Sequence, residues 1–294
     1  MVYNIDLELV KIKEKEAEEL NIDESLRGYS YYKEPVKPIF DVSLPVSLIA
    51  SNFCPCGGII YLTYVEKKKL PKSYEQLAGI IYHNAIVRLI SEVKKFVYLQ
   101  DHFNALDLIE NLIKSFERFE DEEIKVDDDN LAKIIRTNCF KLWSYESLQI
   151  ASRISKVMAE EKHFSKDSLI QRAIPVMTEV NIDGSKIGLS RNIRVDALSF
   201  PIIVFDLKTG KRKEDDRLFT TGYAMALESV YRKNVNLGCL VYLSFKEDLP
   251  YPIIERDLHI IDEHLRYLFI QLRDEKSKIV VDNCLLYTSP SPRD

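Results

Sequence analysis

Residues 194–210, Arg194-Val-Asp196-Ala-Leu-Ser-Phe-Pro-Ile-Ile-Val-Phe-Asp206-Leu-Lys208-Thr-Gly210, decide how this chain is read. Two β-rich runs, Ile193–Phe200 and Ile202–Lys208, meet at Pro201 and read as a hairpin. Residues two apart in a strand share a face, so Asp206 and Lys208 point the same way. A carboxylate and an ammonium are odd groups to close so apolar a strand. With Ser199-Phe200-Pro201 as a three-residue connection, Asp196 faces Val204 and lies diagonal to Asp206 on one face, roughly 7–8 Å away. A slip of one residue would turn Asp196 to the other face. Two carboxylates with few other ligands suit Mg²⁺ or Mn²⁺, hard ions that keep several waters. Such a site orients a water and stabilises the leaving oxygen in phosphodiester cleavage, and Lys208 would offset the charge that builds there. From these residues alone, a surface hairpin with one Asp–Lys ion pair is an equally open reading.

Outward from the hairpin the pattern is mixed. A strand over Ala173–Asn181 precedes it and carries Glu179, an outer-ligand candidate that reads more naturally as a solvent-facing residue. A helix over Asp215–Lys233, a strand over Gly238–Phe245 and a last helix over Glu255–Glu275 follow. Upstream, Glu75–Phe96 is amphipathic, with Leu77, Ile80, Ile81, Val87 and Ile90 at helical spacing. Two further helical stretches, Ala105–Phe119 and Asn130–Glu160, flank an acidic run at Glu120–Asp129 that reads as a loop. Lys11–Leu20 reads as a charged, exposed helix or arm. Helices first, then three strands, a helix and a strand imply an α/β fold: a small mixed sheet flanked by helices.

The chain has 294 residues, 46% hydrophobic and 30% charged, the balance of a globular protein. No apolar run is long enough to cross a bilayer and no secretory signal opens the chain, so a soluble, cytoplasmic protein is expected, with no membrane partner. A net charge of -5 excludes a surface coated in basic groups, though not a local basic groove. Arg191, Arg194, Lys208, Lys211, Arg212, Lys213 and Arg217 supply one near the hairpin, unless Lys211–Lys213 is an ordinary charged loop. Five scattered cysteines (Cys54, Cys56, Cys139, Cys239, Cys284) suit thiols or metal ligands better than a disulfide framework, and Cys139 and Cys239, in apolar surroundings, read as core.

The end of the chain reads differently. Cys284-Leu-Leu-Tyr-Thr-Ser-Pro-Ser-Pro-Arg-Asp294 matches a reading-frame translation of a common transposase-based sequencing adapter. Residues 284–294 are therefore expected to be non-native, the native chain being cut near Asn283, and 1–283 to form one domain with a helical insert at about 103–160.

Asp196, followed ten positions on by Asp206-x-Lys208, resembles the PD-(D/E)xK nuclease signature in its Asp-x-Lys form. Gly79-Ile-Ile-Tyr-His83 is similar to the Gly-x-x-x-His element of RecB-like nucleases, whose His is a metal ligand. Thr221-Gly222-Tyr223 sits where those nucleases carry a Gln-x-x-x-Tyr helix; Tyr223 matches, while Phe219 takes the Gln position. Ser51-Asn-Phe-Cys54-Pro, Ile60-Tyr61-Leu62, Glu228 and Gly238-Cys239-Leu-Val-Tyr242 extend the likeness. Together, over roughly Val46–Phe245, they resemble the CRISPR-associated RecB-like exonuclease family (Cas-four) in its archaeal type I-A form.

The resemblance implies a metal-dependent DNA exonuclease that trims single-stranded ends while CRISPR arrays acquire spacers, beside the spacer integrase and other adaptation proteins. It implies Asp196, Asp206 and Lys208 as catalytic residues, His83 with Asp196 and Asp206 as metal ligands, and Tyr223 as a DNA contact. It also implies a 4Fe–4S cluster, with Cys54 (or Cys56) as its N-terminal ligand and three further cysteines beyond the last helix. Those positions are where the adapter-like tail stands, so this chain is expected not to complete the cluster, although the end of the last helix should lie near Cys54. A RecB-like repair nuclease outside CRISPR, and a non-cleaving DNA-binding subunit of the adaptation complex, are the alternatives.

Overall fold

The computed structural model describes residues 2–51, 57–160, 165–200 and 202–283. Its sheet has five strands: β1 (Val176–Ile182), β2 (Ile193–Ser199), β3 (Ile203–Lys208), β4 (Leu237–Ser244) and β5 (Ile253–Ile260), in that order across the sheet. All neighbours are antiparallel except β3 and β4, which are parallel and need a crossover. The helices are α1 (Leu7–Glu19), α2 (Val46–Ala50), the single turn α3 (Gly58–Ile60), α4 (Tyr74–Leu99), α5 (Ala105–Glu123), α6 (Asp129–Glu160), α7 (Lys166–Ala173), α8 (Arg217–Tyr231) and α9 (Glu263–Asp282). Helix α8 is the crossover. Among the described residues, no helix is long and apolar enough to cross a membrane.

Strand periodicity divides the interior in two. Val204 and Phe205 are neighbours in β3 yet belong to separate cores. Phe205 belongs to a core that includes Ile86 and Leu89 of α4, Leu112 and Phe116 of α5, and Trp143 and Ile150 of α6, so the stretch expected as an insert closes this core. Val204 belongs to a core that includes Ile49 of α2, Ala224 of α8 and Phe269 of α9. Helix α4 starts where Ser73 and Gln76 cap each other: Gln76 N–H donates to Ser73 Oγ, and Ser73 N–H donates to Gln76 Oε1.

The architecture departs from the sequence reading in three places. Residues 255–260, expected as the start of a helix, belong to β5, which pairs with β4 at eight positions, and the helix begins only after Asp262, whose carboxylate accepts the Leu265 N–H. Leu258, Ile261, Leu265, Leu268 and Leu272 do follow a helical period, but pairing along β4 overrides it for the first of them. Ala173 ends α7 rather than opening a strand, and β1 starts one residue beyond Pro175, which has no N–H to give a ladder. In the acidic run, Glu120–Glu123 complete α5, leaving only 124–128 as a loop.

The second core is assembled around a charge. Glu228 of α8 is fully buried and accepts five hydrogen bonds: from Arg27 Nη1, Val235 N–H and Arg266 Nη2 at Oε1, and from Gly28 N–H and Arg266 Nη1 at Oε2. Arg266 is equally buried and also donates to the carbonyls of Ile261 and Val235. Gly28 is required here, because a Cβ would stand 1.8 Å from the Met225 carbonyl oxygen of α8. Further along α9, Arg273 donates to the carbonyls of Val36 and Ile187, and Lys276 to those of Leu48, Ile49 and Ser51.

Glu228→Gln keeps the shape of this centre and removes its negative charge, leaving two buried guanidiniums uncompensated. Breaking such a pair costs about 3–5 kcal/mol. The variant should melt roughly 10 °C below the parent in a thermal denaturation scan; an unchanged midpoint would show that the charge is not needed.

Candidate metal centre

Three carboxylates stand in one row across the sheet. The pairs Thr178↔Ala197 and Val180↔Val195 put Glu179 of β1 opposite Asp196 of β2. The pairs Ala197↔Phe205 and Leu198↔Val204 put Asp196 opposite Asp206 of β3. The expected register, with Asp196 facing Val204 and diagonal to Asp206, is thus corrected: β3 begins at Ile203 and the turn lies one residue later. The displacement moves partners by two positions and so keeps the face. Asp196 and Asp206 share it as expected, only closer.

Two of the acids, Glu179 and Asp196, interrupt the ladder. Glu179 has φ +53°, a left-handed conformation that costs a non-glycine residue of the order of 1–2 kcal/mol and is rare within a strand. Asp196 Oδ2 accepts the Leu207 N–H at 2.7 Å. At this step the apolar residues of the β1–β2 ribbon also change cores: Val176 and Ala197 lie in the first, Ile182, Ile193 and Val195 in the second. The acids occupy the point of changeover, which explains how they come to be enclosed.

Helix α4 brings His83 onto this row. Its Nε2 lies 2.5 Å from Glu179 Oε1 and its Nδ1 3.7 Å from Asp196 Oδ1. Gly79, one turn earlier, lets the helix approach, since a Cβ there would be 2.8 Å from Thr209 Oγ1 just beyond β3. His83, Glu179 and Asp196 each offer a ligand atom within 4.8 Å of the others, a set that could hold a metal ion. Lys208 Nζ is 2.9 Å from the buried Asp206 Oδ2, an ion pair within the strand. The same ammonium sits 3.1 Å from the centre of the Phe219 ring of α8.

Burial, and then the neighbouring Asp206, raises Asp196 to about 7. Asp206 is raised mainly by burial, against the pull of Lys208. Two buried carboxylic acids pushed toward the neutral form are what a cation would relieve. One imidazole among carboxylates fits Mn²⁺ or Mg²⁺ better than a soft metal. The donor set present therefore fits a hard divalent ion.

The other expected site residues fare differently. Tyr223 is a buried residue of the second core, 9% exposed, rather than an open contact surface; burial and then the charges of Asp206 and Asp196 keep its hydroxyl protonated. Cys54 and Cys56, and Cys284, lie outside the described residues. Cys139 and Cys239 are in the first core, where burial pushes both thiols up to about 12, the opposite of a cluster thiolate. The described cysteines do not fit an iron–sulfur cluster. Both flanks of the Cys54 segment do meet α9: Ser51 through Lys276, and α3 by packing. Glu179 is the residue that sequence reasoning undervalued; it sits inside the cluster, not in solvent.

A family model described as "CRISPR-associated exonuclease Csa1" matches residues 1–284. Two proteins named CRISPR-associated exonuclease Csa1 are similar along most of their length. That of Saccharolobus solfataricus is 27% identical over 265 residues, covering 88% of this chain and 85% of its own. That of Thermoproteus tenax is 23% identical over 260 residues, covering 88% and 84%.

An acid raised from its usual value near 4 to about 7 destabilises the fold wherever it must ionise. The penalty is full above pH 7, declines as pH falls, and vanishes below about 4, where folded and unfolded chains are both protonated. Metal-free Asp196→Asn should therefore be more stable than the parent at pH 8 by a few kcal/mol, with the gap closing toward pH 4. Urea unfolding across that range measures it; a constant gap would contradict the assignment.

Proposed function

Because this chain belongs to the CRISPR-associated exonuclease Csa1 family, we propose that it is a divalent-metal-dependent nuclease of PD-(D/E)xK type that trims single-stranded DNA ends during spacer acquisition. The observation that carries this reading is the convergence of Asp196 and Asp206 on one sheet face with His83, Glu179 and Lys208 around them.

His83, Glu179, Asp196 and Asp206 are the residues to hold Mg²⁺ or Mn²⁺. When bound, such an ion orients a water and offsets charge on the phosphate. The chain's own groups do the positioning. The Leu207 N–H fixes Asp196 through Oδ2, leaving Oδ1 toward His83. Glu179 holds the far nitrogen of the His83 ring, so that the imidazole cannot swing away from the acids. Lys208, confined between Asp206 and Phe219, is the cation placed to neutralise negative charge gained by the phosphate as its ester bond breaks. Partners of this activity are DNA, the spacer integrase and other adaptation proteins. A cluster ligated by Cys54 belongs to the same reading and rests on the family resemblance.

Asp206→Ala should lower Mn²⁺-dependent cleavage of a labelled single-stranded oligonucleotide by at least about a thousandfold, with a melting temperature at or above the parent's. Undiminished cleavage would refute the site. For the cluster, the purified 294-residue chain should contain no stoichiometric iron and no visible cluster absorbance, because Cys139 and Cys239 are core residues. One cluster per chain by iron assay would overturn that expectation.

A further inference from the structure

Next to the carboxylate row, on the same side of the sheet, lies a cavity of about 500 Å³ lined by Arg212, Lys213, Glu214, Arg217 and Asp257. Asp206 pairs with Leu240 of β4, and Leu240 with Asp257 of β5. Two inter-strand spacings put the backbone of Asp257 roughly 10 Å from that of Asp206. Asp257 holds both arginines: Arg217 by Nε and Nη2, each at 2.8 Å, and Arg212 by Nη2 at 3.2 Å. The loop carrying Arg212 and Lys213 is itself tied to the site. Tyr242, the β4 partner of Lys208, donates to Asp216 Oδ2, which also accepts the Lys213 N–H at 3.0 Å.

Three cations here face two carboxylates, and one of those, Asp257, serves two guanidiniums at once. Arranged in this way, Asp257 fixes the direction of the arginines without using all of their donors. A cavity with surplus positive charge and oriented guanidinium forks selects a phosphate, and a dianionic phosphomonoester over a singly charged diester. The distance to the carboxylates spans one or two nucleotides of a single strand. We infer that this cavity is a subsite for the terminal phosphate of a nucleic-acid strand, seating the end so that a nearby ester bond lies at the carboxylates. The inference rests on the nuclease reading for its purpose but not for its test.

The experiment measures binding of short single-stranded oligonucleotides carrying a 5′-phosphate, a 3′-phosphate or hydroxyls at both ends, by fluorescence anisotropy in EDTA. The parent protein should bind one phosphate-ended oligonucleotide about tenfold more tightly than the hydroxyl-ended one, and which of the two it prefers identifies the end. Arg212→Ala should bring that ratio close to one, and Arg212→Lys should restore part of it. Equal binding of all three by the parent, or an unchanged ratio in Arg212→Ala, would overturn the subsite. Cleavage of the same oligonucleotides with Mn²⁺ is scored separately. Discrimination in binding without cleavage would sink the nuclease reading and leave the phosphate subsite standing.

Discussion

A single carboxylate, shut away from water, ties together segments from both ends of the chain. Glu228 receives Arg27 and Gly28 from the N-terminal region, Val235 from the turn that leads into β4, and Arg266 from α9. An isolated buried carboxylate is too costly to keep ionised, so each of these donors is a condition of the others' placement. Once Arg266 is committed, α9 can lie only along α8, and once Gly28 is committed, the N-terminal segment presses directly on the α8 backbone. Helix α8 is thereby held against β3 and β4, which sets Phe219 over Lys208 and Arg217 against Asp257. The chemistry at the sheet thus rests on a charge that takes no part in it.

The candidate metal centre occupies a place where two structural requirements collide. One ribbon of the sheet has to feed apolar residues to both cores, and it changes allegiance at Glu179 and Asp196. Backbone pairing lapses there, the Leu207 N–H turns to a side chain, and Glu179 adopts a left-handed conformation. A well-made ladder has no room for such irregularity without a return, and binding sites are where strain of this kind is commonly stored. The enclosed acids are pushed toward neutrality for the same reason.

How much of this is legible in the residues depends on which physical rule governs each. The shared face of Asp196 and Asp206 follows from the period of a strand, and it survives a turn placed one residue out because the partner shift is even. His83 and Gly79 are recognisable only through the likeness of Gly79-x-x-x-His83 to a known nuclease element, since the period of α4 places them on a helix and no more. Glu179 is not, since alternation in Val176–Ile182 describes a half-exposed strand and says nothing of a backbone inversion at its middle. Strand β5 is hidden by the opposite fault: Ile253–Ile260 has a spacing compatible with a helix, and only the presence of β4 beside it decides otherwise. The burial of Tyr223 likewise depends on α8 being covered by α9 and α2, which no local pattern announces.

Helix α9 has a bearing on the order of events during synthesis. Its buried Arg273 and Lys276 supply the donors for the carbonyls of Val36, Leu48, Ile49 and Ser51, contacts that bridge as many as 237 positions of sequence. Until that helix has left the ribosome, the first fifty residues have neither these donors nor the guanidinium that completes the Glu228 centre. The core built on α4, α5, α6 and the sheet draws on residues made earlier, and can gather first. Closure of the second core is then a late step between distant parts of the chain, slow for the entropic reason that all such closures are slow. During that wait the stretch from Leu26 to Ala50 lacks its packing partners and is exposed to proteases and chaperones, and the arrival of α9 ends that exposure.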